Sequence, residues 1–258
     1  NRNDKAIYAI EGEDNQGFYR VLDLSTNTFN DAIPSAKHYQ IGGYDPAKLR
    51  RIQDVIGSRA LFSPEVLGMF NVRHVIQQDG QLLSFDKDAG FRQFVSEPKP
   101  VWFVNNIRTV SSPEEEIGAL TEASFRHLNT AILNTTDFGT SYTAGSDTAG
   151  SVELVEAEPN RLVYKSSSTE DEFAVFSEVW YGGNPDWTVT IDGKDASFIR
   201  VNYILRGMEV PAGDHEIVFE FKPKPSGGGI TLSASLLGLL LVLGGGGWVF
   251  YQEIKEKA

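Results

Sequence analysis

The sequence of 258 residues contains no cysteine and has few basic residues for its acidic content. Without cysteine the chain has no disulfide, no thiol nucleophile and no cysteine-ligated zinc. Its 23 lysines and arginines are outnumbered by 35 acidic residues, so the net charge is −12. A nucleic-acid partner, or a general affinity for anionic membrane surfaces, requires a broad basic footprint. The composition therefore disfavours both.

Motifs that mark common enzyme classes are also missing. The sequence has neither a Gly-x-Ser-x-Gly nucleophile elbow nor a phosphate-binding loop. His74, His127 and His215 are scattered, without acidic residues at a spacing typical of zinc ligands. Hydrolase and nucleotide-binding functions therefore have no local support, and we predict no metal site and no cofactor.

The most apolar part of the sequence lies near its end. From Gly227 to Tyr251 no residue is charged, and leucine fills most positions between 236 and 243. As a helix rising about 1.5 Å per residue, this run is about 37 Å long, enough to cross a hydrocarbon core of about 30 Å. We predict a transmembrane helix over 227–251 with a polar tail over 252–258, so the lipid bilayer is an expected partner. The alternative, a buried core helix, is disfavoured by the length of the run.

Residues 1–134 combine helix and strand signals and are predicted to form a mixed α/β subdomain. Alternating apolar residues predict strands over 19–24, 72–76 and 101–110. Proline in a first helical position predicts helices that begin at Pro46, Pro64 and Pro113.

The next part of the sequence is predicted to be a linker followed by a β-sandwich. Residues 135–151 are mostly Thr, Gly, Ser, Ala and Asp without apolar periodicity, which is typical of a loop. Over 152–223, short strand patterns follow one another closely, and Asp192-Gly193 marks a tight hairpin turn. The expected fold class is α+β, with a mixed α/β N-terminal subdomain, an antiparallel β-sandwich C-terminal subdomain and one C-terminal transmembrane helix.

Several short motifs occur in a defined order along the chain. They are Arg20-Val21-Leu22-Asp23, Ile41-Gly42-Gly43-Tyr44, Ala47-Lys48-Leu49-Arg50-Arg51, Trp102-Phe103-Val104, Ser112-Pro113-Glu114-Glu115-Glu116, Ile191-Asp192-Gly193-Lys194 and Asn202-Tyr203-Ile204-Leu205-Arg206-Gly207. Together, these motifs resemble the extracytoplasmic C-terminal part of the YfhO-like family of polytopic bacterial membrane proteins. The resemblance covers nearly the whole chain, including the final apolar run.

The resemblance implies a function and a location. The family is similar to C-type glycosyltransferases, which transfer a sugar from a polyprenyl-phosphate carrier to an acceptor such as a cell-envelope polymer. It implies a location in the bacterial cytoplasmic membrane, with the head outside and residues 252–258 in the cytoplasm. The expected partners are a lipid-linked sugar or an envelope glycan.

The resemblance also implies that the chain is a fragment. The family's catalytic carboxylate belongs to an early extracytoplasmic loop, which nothing in this sequence matches, so a missing N-terminal transmembrane core of the same protein would supply it. The chain would then be inactive alone and would bind or cover the site. The alternative is a membrane-anchored glycan-binding or envelope-assembly module without transferase activity.

Residues 38–54 are the strongest candidate for a ligand site. Lys48, Arg50 and Arg51 lie close together just after the Gly42-Gly43-Tyr44 turn and beside a predicted helix start. Glycines allow close approach of the backbone, and a helix N-terminus with nearby cations suits a phosphate. The phosphate of a lipid-linked sugar is therefore a candidate ligand.

Two neighbouring side chains have chemistry that fits a sugar. Tyr44 would stack on a sugar ring, and His38 would donate a hydrogen bond or transfer a proton near neutral pH. The alternative is structural. In it, Arg50 and Asp54 form a surface pair at i and i+4, Lys48 is solvated, and the glycines only shape a turn.

Two charged residues of the predicted sandwich have apolar neighbours. With the period of two that strands follow, Glu178 shares a face with Phe176, and Arg206 shares one with Met208. A buried charge is tolerated mainly when it is paired. We predict a structural ion pair between Glu178 and Arg206, or a different partner for each.

Three aromatic residues, Trp180, Tyr181 and Trp187, lie on adjacent predicted strands. Such a group can form a platform for a sugar. Large rings on neighbouring strands are more often buried, so packing in the sandwich core is the favoured interpretation.

Overall fold

The computed structural model of the protein describes residues 18–146, 149–181, 186–223 and 228–256. It has an α+β fold with mostly antiparallel sheets and few helices, as expected. Some predictions fall outside the described residues. These are the part of the N-terminal subdomain before position 18, linker positions 147 and 148, Gly227 in the predicted transmembrane helix, and the end of the tail.

The first part of the described chain is a three-stranded sheet with short helices beside it. Its strands are β1 (Arg20–Asp23), β2 (Val72–Ile76) and β3 (Leu82–Ser84), with β1 parallel and β3 antiparallel to the central β2. The helices are α1 (Arg50–Gly57) and α2 (Pro64–Met69), with 3-10 helices over Pro34–Ala36, Ala60–Phe62 and Ala89–Gln93.

Helix α1 begins later than the sequence predicts. Asp45 Oδ1 accepts a hydrogen bond from the Ala47 N–H at 2.8 Å, which closes a local turn. Leu49 then has an extended conformation, so the helix starts at Arg50 and not at Pro46. The helix predicted from Pro64 is confirmed.

A second group of elements follows. It contains β4 (Val101–Val104), β5 (Asn106–Val110), α3 (Pro113–Leu120), β6 (Thr130–Asn134) and α4 (Thr135–Phe138). The predicted strand over 101–110 is two strands, because β4 and β5 belong to different sheets and β5 pairs in parallel with β6. Helix α3 begins at Pro113 as predicted, where Ser112 Oγ accepts a hydrogen bond from the Glu115 N–H at 3.2 Å. Helix α4 lies in the predicted linker.

The C-terminal part contains two antiparallel sheets. Its strands are β7 (Ser151–Glu158), β8 (Arg161–Ser168), β9 (Glu172–Val179), β10 (Trp187–Ile191), β11 (Lys194–Ala196), β12 (Ile199–Val201), β13 (Leu205–Val210) and β14 (Gly213–Phe221). The strand orders are β11-β10-β14-β8-β7 in one sheet and β12-β13-β9-β4 in the other. The predicted Asp192-Gly193 turn joins β10 to β11, and both residues have positive φ.

Strand β9 is buried because both of its faces are covered. Phe176 packs between the two sheets with Tyr164 and Phe219, whereas Phe173 and Val175 belong to a larger core shared with the first part of the chain. A continuous apolar run is typical of a strand buried on both faces. Strand β4 comes from the predicted N-terminal subdomain, so the two predicted subdomains share a sheet and a core.

The described chain ends in a long helix, α5 (Gly228–Glu256). Its leucines at 237, 239–241 and 243 and its valine at 242 are each more than half exposed. This helix occupies the place of the predicted transmembrane segment. Within the described residues, no helix combines the length and the apolar character needed to cross a bilayer.

Candidate functional site

A cleft of about 300 Å³ lies where the first part of the chain meets the end of β9. The segment over 40–45 forms one wall, and Ile52 and Ile56 of α1 line another. Arg20 and Tyr181, which lies just after β9, also line the cleft. The cleft is therefore built from segments far apart in the sequence.

The predicted glycine turn shapes the first wall. A Cβ atom on Gly42 would lie 1.8 Å from the Thr28 carbonyl oxygen, so only glycine fits at this position. Gly43 has a φ of 108°, and its N–H donates to the same Thr28 oxygen at 2.7 Å. The turn is thus pressed against the loop that follows β1, and this contact fixes the position of Tyr44.

Lys48 is the one member of the predicted cationic group that lines the cleft. Its Nζ donates to the carbonyl oxygens of Phe29 at 3.1 Å and Gly43 at 3.2 Å. The ammonium also lies 6.0 Å from the centre of the Phe29 ring. Lys48 therefore ties the glycine turn to the loop after β1.

The other residues predicted to hold a phosphate do not converge on the cleft. Arg50 is 94% exposed and lies 4.0 Å from Asp54, which is the surface pair considered above. Arg51 turns the opposite way and donates to the Tyr203 carbonyl at 3.3 Å, with its guanidinium 4.6 Å from the Tyr203 ring. His38 is half-buried and is not among the residues that line the cleft.

Arg20 is a residue of the site that sequence reasoning missed. Its Nη1 donates to the Phe70 carbonyl at 2.9 Å, the Ser177 carbonyl at 3.0 Å and Ser177 Oγ at 3.1 Å. Its Nη2 lies 3.4 Å from Glu178 Oε1. Arg20 stands at the start of a short strand, and nothing in the local pattern indicates that its partners come from β9.

The predicted pair of Glu178 and Arg206 is not formed, because each has another partner. The register between β9 and β13 jumps from Phe176–Arg206 to Val179–Leu205, so β9 has two extra residues at this point. Ser177 and Glu178 therefore lie outside the regular pairing with β13, and Glu178 lies beside Arg20. Arg206 instead donates from Nε to the Val179 carbonyl at 3.1 Å.

The guanidinium of Arg206 is buried among aromatic rings. It lies 4.2 Å from the ring centre of Trp187, 5.2 Å from that of Phe219 and 5.6 Å from that of Phe198. Burial lowers the pKa of Arg206, and the nearby Glu178 carboxylate opposes this effect. Its Nη1 has no hydrogen-bond partner among the described residues.

Of the three aromatic residues considered as a sugar platform, Tyr181 alone lines the cleft. Trp180 packs against Phe138 and lies 5.6 Å from the Arg200 guanidinium, and Trp187 covers Arg206. Tyr181 is 46% exposed, and Tyr44, which also lines the cleft, is 59% exposed. The cleft therefore presents two tyrosine rings to the solvent.

A buried ionic cluster lies on the other side of α1. Arg200 Nη2 donates to Glu116 Oε2 at 3.0 Å and to Asp137 Oδ2 at 2.8 Å. Glu116 Oε1 accepts a hydrogen bond from the Tyr203 N–H at 2.8 Å, and the Tyr203 hydroxyl donates to Asp54 Oδ2 at 2.8 Å. Burial raises the pKa of Glu116 and lowers that of Arg200, while the attraction between the two opposes both shifts.

The turn that carries this cluster has an unusual backbone. Asn202 and Tyr203 are consecutive residues with positive φ, 50° and 68°, between β12 and β13. The Asn202 side-chain oxygen accepts from the Ile132 N–H at 2.7 Å, and the Asn202 backbone N–H donates to the Ile132 carbonyl at 2.9 Å. These contacts and the Glu116 carboxylate hold a conformation that costs energy for residues other than glycine.

A third polar cluster surrounds His127, which is fully buried. Its Nδ1 lies 2.7 Å from Glu65 Oε2, and its Nε2 lies 3.0 Å from the Glu97 carbonyl. Burial disfavours the charged form of Glu65, but hydrogen bonds from His127 and Ser96 outweigh it and lower the pKa of Glu65 to about 2. The described residues contain no group of three or more histidines and carboxylates arranged to hold a metal ion.

The cleft is lined mostly by uncharged residues. Asp45 is the one carboxylate among the described residues that line it, and this side chain closes the turn before α1. Glycoside hydrolysis usually uses a pair of Asp or Glu residues in defined positions. No protein-family model matches this chain, and comparisons with curated proteins and with solved structures found no match.

Proposed function

We propose that this chain is the extracytoplasmic, glycan-binding head of a membrane glycosyltransferase, and that the cleft holds one sugar ring. The observation that carries the proposal is the pair of exposed rings, Tyr44 and Tyr181, which line one cleft. A tyrosine offers an apolar ring surface together with a polar hydroxyl. Binding sites for small molecules typically combine such apolar walls with a few polar groups, and Gln40 and the Gly42-Gly43 backbone provide the polar part here.

The internal partners of Lys48 and Arg20 favour a sugar ring, and not its phosphate, as the group bound in the cleft. The ammonium of Lys48 already donates to two carbonyl oxygens, and Arg20 donates to three oxygens and pairs with Glu178. A phosphate would have to replace these internal partners. A neutral sugar needs only hydrogen bonds to the edges of these groups, so it enters without breaking them.

Helix α5 would attach the head to the membrane. Its exposed leucines lie in a run without charge from 227 to 251, and an apolar surface of this kind is rarely left in contact with water. The resemblance to the YfhO-like family supports a bacterial cytoplasmic membrane, with the cleft on the outer side. By the same resemblance, transfer of the sugar would be carried out by residues outside this chain, in an early extracytoplasmic loop that nothing in this sequence matches.

Sugar binding can be measured with the full chain in detergent micelles by isothermal titration calorimetry. The probes are neutral oligomers of glucose, galactose and N-acetylglucosamine, with inorganic phosphate as the anion. We expect at least one oligosaccharide to bind and phosphate to leave that binding unchanged. Tyr44→Ala and Tyr181→Ala should each weaken the binding about tenfold, the usual scale for loss of an aromatic anchor.

Tyr39→Ala is the matched control. Tyr39 is 63% exposed but does not line the cleft, so its removal should leave the affinity unchanged. The proposal is overturned if none of the oligosaccharides binds. It is also overturned if Tyr39→Ala weakens binding as much as the two cleft variants do, or if phosphate competes with the sugar.

A further inference from the structure

Five of the six large apolar side chains described as exposed outside α5 line the cleft or belong to near neighbours in sequence of its lining residues. Apart from Val155 on β7, the large apolar residues described as exposed outside α5 are Ile33, Tyr39, Tyr44, Phe62 and Tyr181. Tyr44 and Tyr181 line the cleft themselves, and the other three lie within two positions of the lining residues Ser35, Gln40 and Leu61. We call these five residues the rim. Apolar residues that cluster around one opening commonly mark an interaction surface.

The charge of the same segment is opposite to that of the chain. Residues 33–62 contain five lysines and arginines but two acidic residues, a net charge of +3 within a chain of −12. Of these cations, Lys37 and Arg59 are exposed, and Arg50 is almost fully so. Basic and aromatic residues together are typical of surfaces that rest at the membrane interface, where rings enter the headgroup layer and cations attract anionic lipids.

We infer that the rim rests on the anionic surface of the bilayer, so that the cleft opens toward the lipid headgroups. This inference rests on the proposed membrane attachment and sharpens the proposed ligand. A cleft that faces the headgroup layer receives a sugar carried on a lipid, while a soluble glycan has no open path to it. The phosphate of such a carrier would lie outside the cleft, near Lys37, Arg50 and Arg59, which are exposed to solvent.

The charge of the rim segment decides between a lipid surface and an apolar protein partner. An anionic bilayer complements its net charge of +3, so the attraction should weaken with salt. A protein partner that covered the rim by apolar contact would shield the rim residues to the same extent whether the lipids are neutral or anionic. These two occupants therefore predict different responses to the composition of the vesicle.

Because the chain has no cysteine, single positions can be labelled in the full-length chain without other changes. Four variants carry an environment-sensitive fluorophore, namely Phe62→Cys and Ile33→Cys on the rim, Val155→Cys on β7 as the matched exposed control, and Leu240→Cys on α5. Each is reconstituted into vesicles of phosphatidylcholine alone or mixed equally with phosphatidylglycerol. Quenching by lipids that carry a nitroxide at the headgroup or in the acyl chain reports the depth of the label.

We expect headgroup nitroxides to quench both rim labels in the anionic vesicles about twofold more than in the neutral ones, with the difference lost at high salt. The Val155 label should remain unquenched in both. Charge reversal by Lys37→Glu together with Arg50→Glu should reduce rim quenching to the level in neutral vesicles, since both side chains are exposed and outside the cleft wall.

The label on α5 separates failure of this inference from failure of membrane attachment. If acyl-chain nitroxides quench the Leu240 label while the rim labels resemble Val155, the chain is attached but the rim does not rest on lipid, and the inference is wrong. If the Leu240 label is not quenched either, the proposed attachment is wrong and the inference falls with it. Equal quenching of the rim labels in neutral and anionic vesicles would show that lipid charge does not hold the rim on the bilayer, and would overturn that part of the inference.

Discussion

The interior of this protein and its cleft use the same residue types, aromatic rings and arginines, in opposite ways. In the interior some rings cover a cation, as Trp187 covers Arg206 and Phe138 and Trp180 cover Arg200. At the cleft, no described cation lies over the rings of Tyr44 and Tyr181, which face solvent. The comparison indicates that a ring paired with a cation contributes to structure, whereas an exposed ring beside a cleft is available to a ligand.

The two buried arginines also differ from each other. Arg200 has two carboxylate partners, Glu116 and Asp137, within 3.0 Å. Arg206 has three rings and one carbonyl, and one of its nitrogens has no hydrogen-bond partner among the described residues. Arg200 is paired with carboxylates, whereas Arg206 is surrounded mainly by rings. The same substitution should therefore change the free energy of unfolding by different amounts at the two positions.

The largest effect is expected for Arg200→Met. This change leaves the fully buried carboxylate of Glu116 without its counter-ion, and an uncompensated buried charge costs about 3–5 kcal/mol of the free energy of unfolding. Urea denaturation of the full chain in detergent would measure it. Arg50→Ala, which removes an exposed pair, should change that free energy by less than about 0.5 kcal/mol. Equal losses for the two variants would contradict the assigned role of the cluster.

The next largest effect is expected for Glu65→Gln, with a dependence on pH. The pKa of Glu65 is 4.5 in the unfolded chain and about 2 in the folded protein. Its carboxylate therefore stabilises the fold above pH 4.5, and this contribution is lost as the pH falls from 4.5 toward 2. The variant should lose about 2 kcal/mol at pH 7, the scale of a hydrogen bond to a charged group.

The pH dependence of the same variant gives a separate test. Over pH 4.5 to 2, unfolding of Glu65→Gln should depend less on pH than that of the unchanged protein, because glutamine does not titrate. Thermal unfolding followed by circular dichroism across this range measures the difference. Curves that stay parallel down to pH 2 would mean that other carboxylates are responsible for acid sensitivity.

A smaller effect is expected for Arg206→Met. Methionine keeps the contact with the three rings and removes a buried charge whose Nη1 has no partner, while Glu178 retains Arg20. The free energy of unfolding should change by about 1 kcal/mol or less, against the larger loss for Arg200→Met. A loss as large as that at Arg200 would show that Glu178 depends on Arg206 as well as on Arg20.

The smallest effect on stability is expected for Tyr44→Ala. Its ring is 59% exposed, so its removal should change the free energy of unfolding by less than about 0.5 kcal/mol while it weakens sugar binding. Denaturation and titration of the same preparation measure both quantities. A large loss of stability would assign Tyr44 to the structure and would break the contrast between interior and cleft.

Local patterns predicted much of the fold. The spacing of apolar residues predicted most strands of the sandwich, the prolines marked the starts of α2 and α3, and Asp192-Gly193 marked a hairpin. In the candidate site, the Gly42-Gly43-Tyr44 turn and Lys48 line the cleft. These features depend on residues that are neighbours in the chain.

Contacts between distant segments could not be predicted in the same way. Arg20 and Ser177 are 157 positions apart, and Glu116 and Arg200 are 84 apart. The bulge in β9 has no marker such as glycine, so strict alternation placed Glu178 and Arg206 on facing positions that the strand does not keep. A sequence pattern reports the period of one strand but contains no information on which remote strand lies beside it.

The hydrogen bond between Arg20 and Ser177 joins a segment that is synthesised early to one that is synthesised much later. During synthesis Arg20 is exposed long before β9 is translated, and the cleft has no second side until Val179 and Tyr181 have left the ribosome. Closing a contact over such a separation is slow compared with forming local turns. A nascent chain stopped before β9 would thus display its basic, aromatic segment with no cleft behind it, and the ability to hold a ligand would arise only after β9 and Tyr181 had been translated.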